Sequence, residues 1–333
     1  MIKTAEDLFD TAHQWLFETI VQPMFFHLGL SAFIEDAFDG SMWLLIGVLQ
    51  VFLIAVVFGS LQRWRPAEPV VDRQQIRIDI LYTLIHRLGL FRLVLFFSIG
   101  PVWDFLFGQA SLHGISTFHV DQIWPGVTDI AWVSLIIYIL IFDLVDYFYH
   151  RAQHRFAWFW SLHAVHHSQR QMTMWSDNRN HLLDSFLRSS VFVLVAKAIG
   201  VPPGQFVLIV VLTQLIESYS HANIRMSFGK IGERLIVSPK FHRFHHSIEY
   251  NESTSGPARG HNFAVLFPIW DILFGTAEYK TGYVKTGIHD QESEGGNRDY
   301  GRGFLSQPWL GLRRMFGSKT AGFSTAVIKK PAA

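Results

Sequence analysis

The stretch DLVDYFYHRAQHRFAWFWSLHAVHH, residues 143–167, joins the polar end of an apolar segment to two groups of histidines. The first group lies in HRAQH, residues 150–154, and the second in HAVHH, residues 163–167. Side chains three or four positions apart share one face of an α-helix, so their imidazoles can be directed at a common point. Imidazole is the commonest metal-ligating side chain. The stretch therefore predicts a metal site at the end of an apolar helix.

A third group, HRFHH at residues 242–246, repeats the spacing of the second. The three groups supply eight imidazoles (two, three and three), whereas a zinc site takes three or four protein ligands and an octahedral metal about six. One ion cannot use them all, so we expect two ions lying close together, as in two-metal catalytic sites. The histidines concerned are His150, His154, His163, His166, His167, His242, His245 and His246.

Composition predicts a membrane protein. The 333 residues are 50% hydrophobic and only 17% charged, and mean hydropathy is positive, which is apolar for a soluble enzyme. A charge-free stretch of about 20 residues crosses a ~30 Å hydrocarbon core. Arg92 weakens one candidate, and the sequence GVPPG at residues 200–204 separates two others into a helical hairpin. The candidate spans are residues 41–61, 88–107, 130–146, 182–199 and 205–219.

The arginine distribution predicts the orientation. Residues 62–79 carry four arginines, whereas residues 108–129 contain no lysine or arginine. By the positive-inside tendency the former connection is cytoplasmic and the latter external. The chain then delivers His150 to the cytoplasmic face, and the hairpin returns there with His181 and His221 at its two ends. This topology predicts that all the histidine groups meet on one side.

These features predict an all-α fold: a polytopic membrane helical bundle of about four or five spans, including the hairpin, with a cytoplasmic helical cap that carries the histidines. We expect N-terminal membrane helices and linkers in residues 1–129, a catalytic region in residues 130–280, and a polar loop and tail in residues 281–333. Residues 1–10 lack the pattern of a signal peptide, so we expect the first span to direct insertion.

Three classes of function fit two imidazole-ligated metals at a membrane surface. The first is oxygen activation at iron on a lipid C–H bond, the second is hydrolysis at zinc, and the third is metal binding or transport. Hydrolysis is disfavoured because no HExxH or HxxEH signature is present. Transport is disfavoured because the histidines lie at helix ends rather than at membrane depth.

The three histidine groups, in this order around a hairpin, resemble the fatty acid hydroxylase or sterol desaturase superfamily of integral membrane oxygenases. NRNH at residues 178–181 looks like the Arg-x-His segment of that family, and HAN at residues 221–223 like its His-x-Asn element. NF at residues 262–263 and WDILFGT at residues 270–276 are similar to its closing motifs, although residues 251–260 lengthen the spacing before them.

The resemblance implies a dinuclear iron centre that uses O2 and external electrons to hydroxylate or desaturate a lipid of sterol or hopanoid, alkylglycerol or fatty acyl type. It also implies two further ligands beyond the eight histidines above, His221 and His181. We expect Asp146, one helical turn before His150, to orient that imidazole. The other candidates for supporting the ligands are Asn223, Asn262 and His261.

The chain lacks its own route for electrons. It contains no dinucleotide-binding GxGxxG and no cysteine, which excludes disulfides and cysteine-ligated clusters. We therefore expect a separate cytoplasmic reductase or electron carrier. The apolar spans lead us to expect a membrane location, such as a bacterial inner membrane or an ER-like membrane. A net charge of +1 without a basic stripe gives no reason to expect nucleic acid as a partner. Oligomeric state does not follow from the sequence.

Overall fold

The computed structural model describes residues 4–249, 260–280 and 282–317. Over these ranges the chain is helical, without any β-strand and with only two isolated bridges. The α-helices are α1 Ala5–Leu16, α2 Gln22–His27, α3 Ile34–Leu53, α4 Gly59–Trp64, α5 Arg73–Arg87, α6 Leu90–Ser98, α7 Gly100–Leu112, α8 Ala131–Arg155, α9 Ala157–His167, α10 Leu182–Ala198, α11 Pro203–His221, α12 Gly229–Gly232, α13 Pro239–His245, α14 Ile269–Leu273 and α15 Ser306–Phe316. The all-α prediction is confirmed.

Two helical segments of the described chain are long and apolar enough to cross a membrane, Ser31–Trp64 and Ala131–Arg155. The first runs from a 3-10 turn through α3, a π-helical turn at Ile54–Phe58, and α4. Its outer face shows large apolar side chains, with Phe52 65% exposed. A continuous apolar face of this kind is typical of contact with lipid. The first segment contains the predicted span 41–61, and the second contains the predicted span 130–146 apart from its first residue.

Residues 88–107, expected to form one span, are divided between α6 and α7. Pro101 occupies the first turn of α7. Because proline has no N–H, it cannot donate the i to i−4 hydrogen bond that would continue α6 through this point. The two helices are therefore too short to cross a bilayer separately.

The hairpin is present and consists of α10 and α11. Gly200 adopts a left-handed conformation with φ of 68°, and the N–H of Val201 donates to the carbonyl of Ala196 at 2.9 Å. This left-handed glycine is a common way to end a helix. Tyr138 of α8 donates its hydroxyl to the carbonyl of Gly200 at 3.3 Å. The start of α10 and the end of α11 consequently lie on the same side of the molecule.

A buried ion pair joins α5 to the hairpin. Arg87 donates to Asp177 at 2.8 Å, to the side chain of Gln214 at 2.7 Å and to Ser218 at 3.0 Å. Both charged side chains are at most 3% exposed. A buried pair is better tolerated when further hydrogen bonds accompany it, and here Gln214 and Ser218 of α11 supply two such bonds. The short segment before His181 is thereby fixed between α5 and α11.

The C-terminal region departs from the expected loop and tail. Helix α15 packs against α9, and Tyr300, only 4% exposed, donates its hydroxyl to Asp290 at 3.0 Å. Residues 282–317 therefore cover one side of the histidine-bearing helices. The tail at residues 318–333 and nearly all of the insertion at residues 251–260 lie outside the described residues.

Gly47 permits a close approach of α3 to the end of α5. A Cβ atom at this position would lie 1.9 Å from the carbonyl oxygen of Arg87, whereas one at Gly40 of the same helix would meet nothing within 4 Å. We expect Gly47→Ala to lower the free energy of unfolding by about 1–3 kcal/mol, as overpacking does. Gly40→Ala should leave it unchanged or raise it, because alanine is the better helix former. Thermal unfolding in detergent tests this, and equal melting temperatures for the two variants would contradict the packing.

Candidate metal centre

Nine of the ten predicted ligands converge on one buried region. Their side chains come from α8, α9, α11 and α13, and every one is at most 7% exposed. They form two groups, and within each group the candidate ligand atoms all lie within 4.8 Å of one another. The first group is His150, His154, His163, His167 and His245, and the second is His166, His221, His242 and His246.

The two HxxHH sequences divide their histidines crosswise. In α9, His163 and His167 face the first group and His166 the second; on α13 and its C-terminal cap, His242 and His246 face the second group and His245 the first. Residues i and i+4 lie almost in line along a helix, whereas i+3 is rotated to the other side of that line. A helix placed between two sites can thus serve both. Helix α8 completes the first group and α11 the second.

The spacing of the ring nitrogens fits a metal ion. In the second group, Nε2 of His221 lies 3.1 Å from Nε2 of His166 and 3.0 Å from Nε2 of His242. In the first, Nε2 of His167 lies 3.2 Å from that of His154 and 3.1 Å from that of His245. Two nitrogens bound to one ion at ~2.1 Å and at right angles are ~3.0 Å apart.

Hydrogen bonds to the backbone determine which ring nitrogen carries the proton in three of these histidines. Nδ1 of His150, His221 and His245 lies 2.7–2.8 Å from the backbone carbonyls of Phe263, Glu217 and His261 respectively. A carbonyl can only accept, so Nδ1 carries the proton and Nε2 a lone pair. Nε2 of His150 and both ring nitrogens of His163 are also buried without a hydrogen-bond partner in the described chain. A cation in each group would bind the lone pairs of the inward-facing nitrogens, including Nε2 of His150 and one ring nitrogen of His163.

Burial keeps the imidazoles in the form that binds metals. Desolvation, reinforced by neighbouring imidazoles, lowers the pKa of four histidines outside the membrane segments well below its usual value; these are His166, His167, His242 and His246. Burial also lowers the pKa of His245 to about 3. Neutral imidazole is the ligating species. The residues present therefore fit two metal ions.

Two buried carboxylates hold the loop that orients the ligands. Asp271 accepts from the N–H groups of Phe263 and Ala264 at 2.9 and 2.8 Å. Asp143 accepts from the N–H groups of Leu266 and Phe267 at 2.9 and 3.0 Å. The carbonyls bonded to His150 and His245 belong to this loop, so the carboxylates act on the ligands through the backbone.

The three other expected support residues differ in what they contact. His261 contributes its carbonyl oxygen to His245. Asn262, with a positive φ of 58°, donates to the carbonyl of Phe241 at 3.0 Å and so fastens the loop to α13. The side chain of Asn223 instead pairs with the backbone N–H and carbonyl of Glu68 at 3.0 and 2.8 Å, and so holds the segment after α4.

Asp146 does not orient His150, contrary to the prediction. Nδ1 of that imidazole is taken by the carbonyl of Phe263, and the Asp146 carboxylate instead accepts from Arg188 of α10 at 2.8 Å. The arginine lies on the neighbouring helix and offers a charged, two-pronged donor, which is the stronger partner.

His181 is not a ligand in this arrangement. It caps the start of α10, where its Nδ1 accepts from the N–H of Leu183 at 3.1 Å, and its Nε2 lies 3.0 Å from the carbonyl of Pro308. Both ring nitrogens are therefore engaged with backbone groups. The ligand set suggested by the geometry comprises nine histidines, five and four.

Asp184, which the sequence did not single out, faces the first group. Its carboxylate lies 3.4 Å from Nδ1 of His163 and accepts from Gln153 at 2.7 and 2.8 Å and from the hydroxyl of Tyr149 at 3.0 Å. In the sequence it is an acidic residue in the first turn of a helix, a position usually explained by the helix dipole. Only its neighbours reveal a role beside the ligands.

A model of the fatty acid hydroxylase family matches residues 135–276, which include all nine converging histidines. These residues are similar to the fatty acid hydroxylase family. The matched region coincides with the part of the chain that builds both imidazole groups. The resemblance drawn from the sequence motifs is confirmed.

Three relatives that match this chain are named as a lipid hydroxylase and as monooxygenases. Ornithine lipid hydroxylase OlsE of Rhizobium tropici is 25% identical over 235 residues, which cover 71% of this chain and 67% of that protein. Alkylglycerol monooxygenase of Danio rerio is 26% identical over 160 residues, 48% of this chain and 34% of the relative. The human alkylglycerol monooxygenase is 25% identical over 146 residues, 44% of this chain and 31% of the relative. The chain spans about a third of the monooxygenases it matches. No solved structure matches it significantly. The prediction of an oxidoreductase is confirmed.

Metal content should distinguish His166, which converges with other imidazoles, from His181, which does not. We expect His166→Ala to lose metal from the second group, because three imidazoles remain where four converge. His181→Ala should retain the wild-type metal content and lose only a helix cap, worth about 0.5–2 kcal/mol of stability. Elemental analysis of both detergent-purified proteins measures this difference. Equal metal loss in the two variants would contradict the ligand set.

Proposed function

We propose that this protein is a membrane-bound, O2-dependent di-iron oxidoreductase that hydroxylates or desaturates a lipid. The observation that carries the proposal is the pair of adjacent, all-imidazole groups within the region that matches the fatty acid hydroxylase family. Five imidazoles converge in the first group, which exceeds the three or four protein ligands of a zinc site. Imidazole ligation suits iron. A zinc hydrolase or a metal transporter is therefore the weaker alternative.

Nine histidines would hold the two irons, and the bound irons would supply O2 activation for attack on a C–H bond. In a hydroxylation, one oxygen atom enters the C–H bond and the other leaves as water, which consumes two electrons and two protons. We propose that a separate reductase or electron carrier at the cytoplasmic face supplies these electrons, because the sequence contains no cysteine and no dinucleotide-binding GxGxxG. The chain's own residues position the ligands and the substrate.

A cavity of about 200 Å³ borders both imidazole groups. At one end its wall includes His150 and His163 of the first group and His221 of the second, and farther along the hairpin it includes Phe192 and Val210. Val210 and His221 are eleven residues apart on α11, about 16 Å at 1.5 Å per residue. The cavity can therefore place a hydrocarbon chain along the hairpin with one end beside the metals.

The relatives' names concern amphiphilic lipids, an ornithine lipid in one case and an alkylglycerol in the other. Together with the cavity they support a lipid substrate of alkylglycerol, fatty acyl, or sterol or hopanoid type.

The membrane arrangement proposed with this function has about four or five spans, with the histidine groups in a cytoplasmic cap. It retains the division into residues 1–129, the catalytic region 130–280 and residues 281–333. A bacterial inner membrane or an ER-like membrane would suit it.

The absence of native cysteine allows a direct test of orientation. Ser111 and Lys230 are exposed and lie on opposite sides of the proposed membrane. We expect Lys230→Cys to react with a membrane-impermeant maleimide only after the cytoplasmic side is opened. Ser111→Cys should react in intact cells, because the segment of residues 108–129 is proposed to be external. Labelling of both positions from the same side would contradict the topology.

Oxygen-dependent lipid oxidation tests the activity. We expect purified, iron-loaded protein, supplied with a reductant, an electron carrier and a lipid extract, to consume O2 and to yield lipids heavier by one oxygen or lighter by two hydrogens. His166→Ala should abolish this reaction. His113→Ala, on an exposed helix end remote from the site, serves as the matched control. Lipid cleavage that proceeds without O2 and reductant would establish the hydrolase instead.

A further inference from the structure

The side chain of Arg188 on α10 joins α8, which carries part of the first imidazole group, to α11, which carries part of the second. Nε of Arg188 donates to Asp146 at 2.8 Å, and its Nη2 donates to the second oxygen of Asp146 and, at 2.7 Å, to Glu217. Asp146 lies one turn before His150 on α8. Glu217 lies one turn before His221 on α11, and its carbonyl accepts from that imidazole at 2.7 Å. The guanidinium is thus held rigidly beside both groups.

The same guanidinium has unused donors. Arginine carries five N–H groups, and the three bonds above use three of them. The two on Nη1 have no hydrogen-bond partner within the described ranges. The Arg188 side chain is 30% exposed, against 3% for Asp146, and it lines the cavity together with His150 and His221. We infer that these two donors are available to a molecule in the cavity.

The surrounding charge selects what those donors can bind. One guanidinium faces two carboxylates here, Asp146 and Glu217, which leaves a local charge of −1. Asp184 adds a further carboxylate to the wall. Arg92, another cation of the cavity, stacks on Trp43 at 3.5 Å. At Arg188 the guanidinium charge is already offset by Asp146 and Glu217, so this position offers an anionic group such as a phosphate no net attraction, whereas a neutral oxygen could accept hydrogen bonds from Nη1. Cations held by the imidazole groups lie outside this local balance.

We propose that Arg188 binds a neutral oxygen atom of the substrate, as found in an ether, ester, amide or hydroxyl group. This assignment rests on the proposed function and deepens it: the substrate is an amphiphile oxidised close to its polar group. Its hydrocarbon chain extends toward Phe192 and Val210. The guanidinium acts as a specificity-determining residue that selects which end of the lipid reaches the metals.

A binding competition on the wild-type protein tests the proposal without turnover. Native mass spectrometry would follow the anaerobic protein, without reductant, offered an equimolar mixture of 1-O-dodecylglycerol, dodecyl phosphate and dodecane. We expect the bound glycerol ether to exceed each of the others at least tenfold, since a hydrogen bond to a charged group is worth about that factor or more. Equal retention of dodecane, or a preference for dodecyl phosphate, would overturn the proposal.

Variants assign the preference to Arg188. The single variant Arg188→Met leaves two carboxylates without their cation, which can destabilise the fold. It is therefore measured beside the triple variant Arg188→Met, Asp146→Asn, Glu217→Gln, which removes all three charges together. Lys197→Met, on the exposed end of the same helix, is the control. We expect the control to keep the preference for the glycerol ether and the triple variant to lose it about ten- to hundredfold.

A triple variant that folds and still prefers the glycerol ether would refute the role of Arg188. The wild-type competition stands on its own if the variants fail to fold. Binding is measured without O2 or reductant, so a lack of oxidation in the activity assay would remove the proposed function and leave this readout unchanged.

Discussion

Lone-pair repulsion between buried imidazoles is the constraint on which the rest of the structure depends. His221, whose Nδ1 proton is committed to a carbonyl, directs its Nε2 lone pair at two other ring nitrogens 3.0–3.1 Å away. A neutral ring has one N–H, so hydrogen bonds cannot satisfy a whole cluster of such rings. Each buried polar atom left unsatisfied costs about 1–3 kcal/mol. Cations between the rings would turn this cost into bonding.

The surrounding fold supplies what such a site requires. Helices α9 and α13 lie between the two foci and serve both, while α8 and α11 each complete one. The loop beside α14 presents carbonyls that fix the tautomer of His150 and His245, and Asp143 and Asp271 fix that loop in turn. Supporting groups of this kind orient ligands and determine metal affinity. Arg87 of α5 and Arg188 of α10 reach the same region through ion pairs with Asp177 and Asp146 respectively.

Much of this could be predicted from residue spacing and chain topology. Histidines at i, i+3 and i+4 indicated metal binding, their number indicated two ions, and the GVPPG break indicated the hairpin that brings His221 to the site. The division of each HxxHH sequence between the two imidazole groups could not be predicted from the sequence, because it depends on where the helix lies relative to both groups. His181 shows a similar limit: its place at a helix start made it a neighbour of the site, but only the contact with Pro308 shows that its second nitrogen is occupied.

Elements with weak sequence patterns were the ones missed. Helix α15 is short and sits in a polar C-terminal region, so its packing against α9 had no local signal. Asp184 had the ordinary look of an acidic first-turn residue. In both cases a contact distant in sequence decides the role, as it does for Arg188, whose partners lie on two other helices.

X-ray absorption at the metal edge of the purified, iron-loaded protein tests the central claim most directly. We predict two irons per chain, each with a shell of nitrogen neighbours at about 2.1 Å and the outer-shell scattering that imidazole rings produce. A single metal per chain, or a shell dominated by carboxylate oxygens without imidazole scattering, would contradict the account.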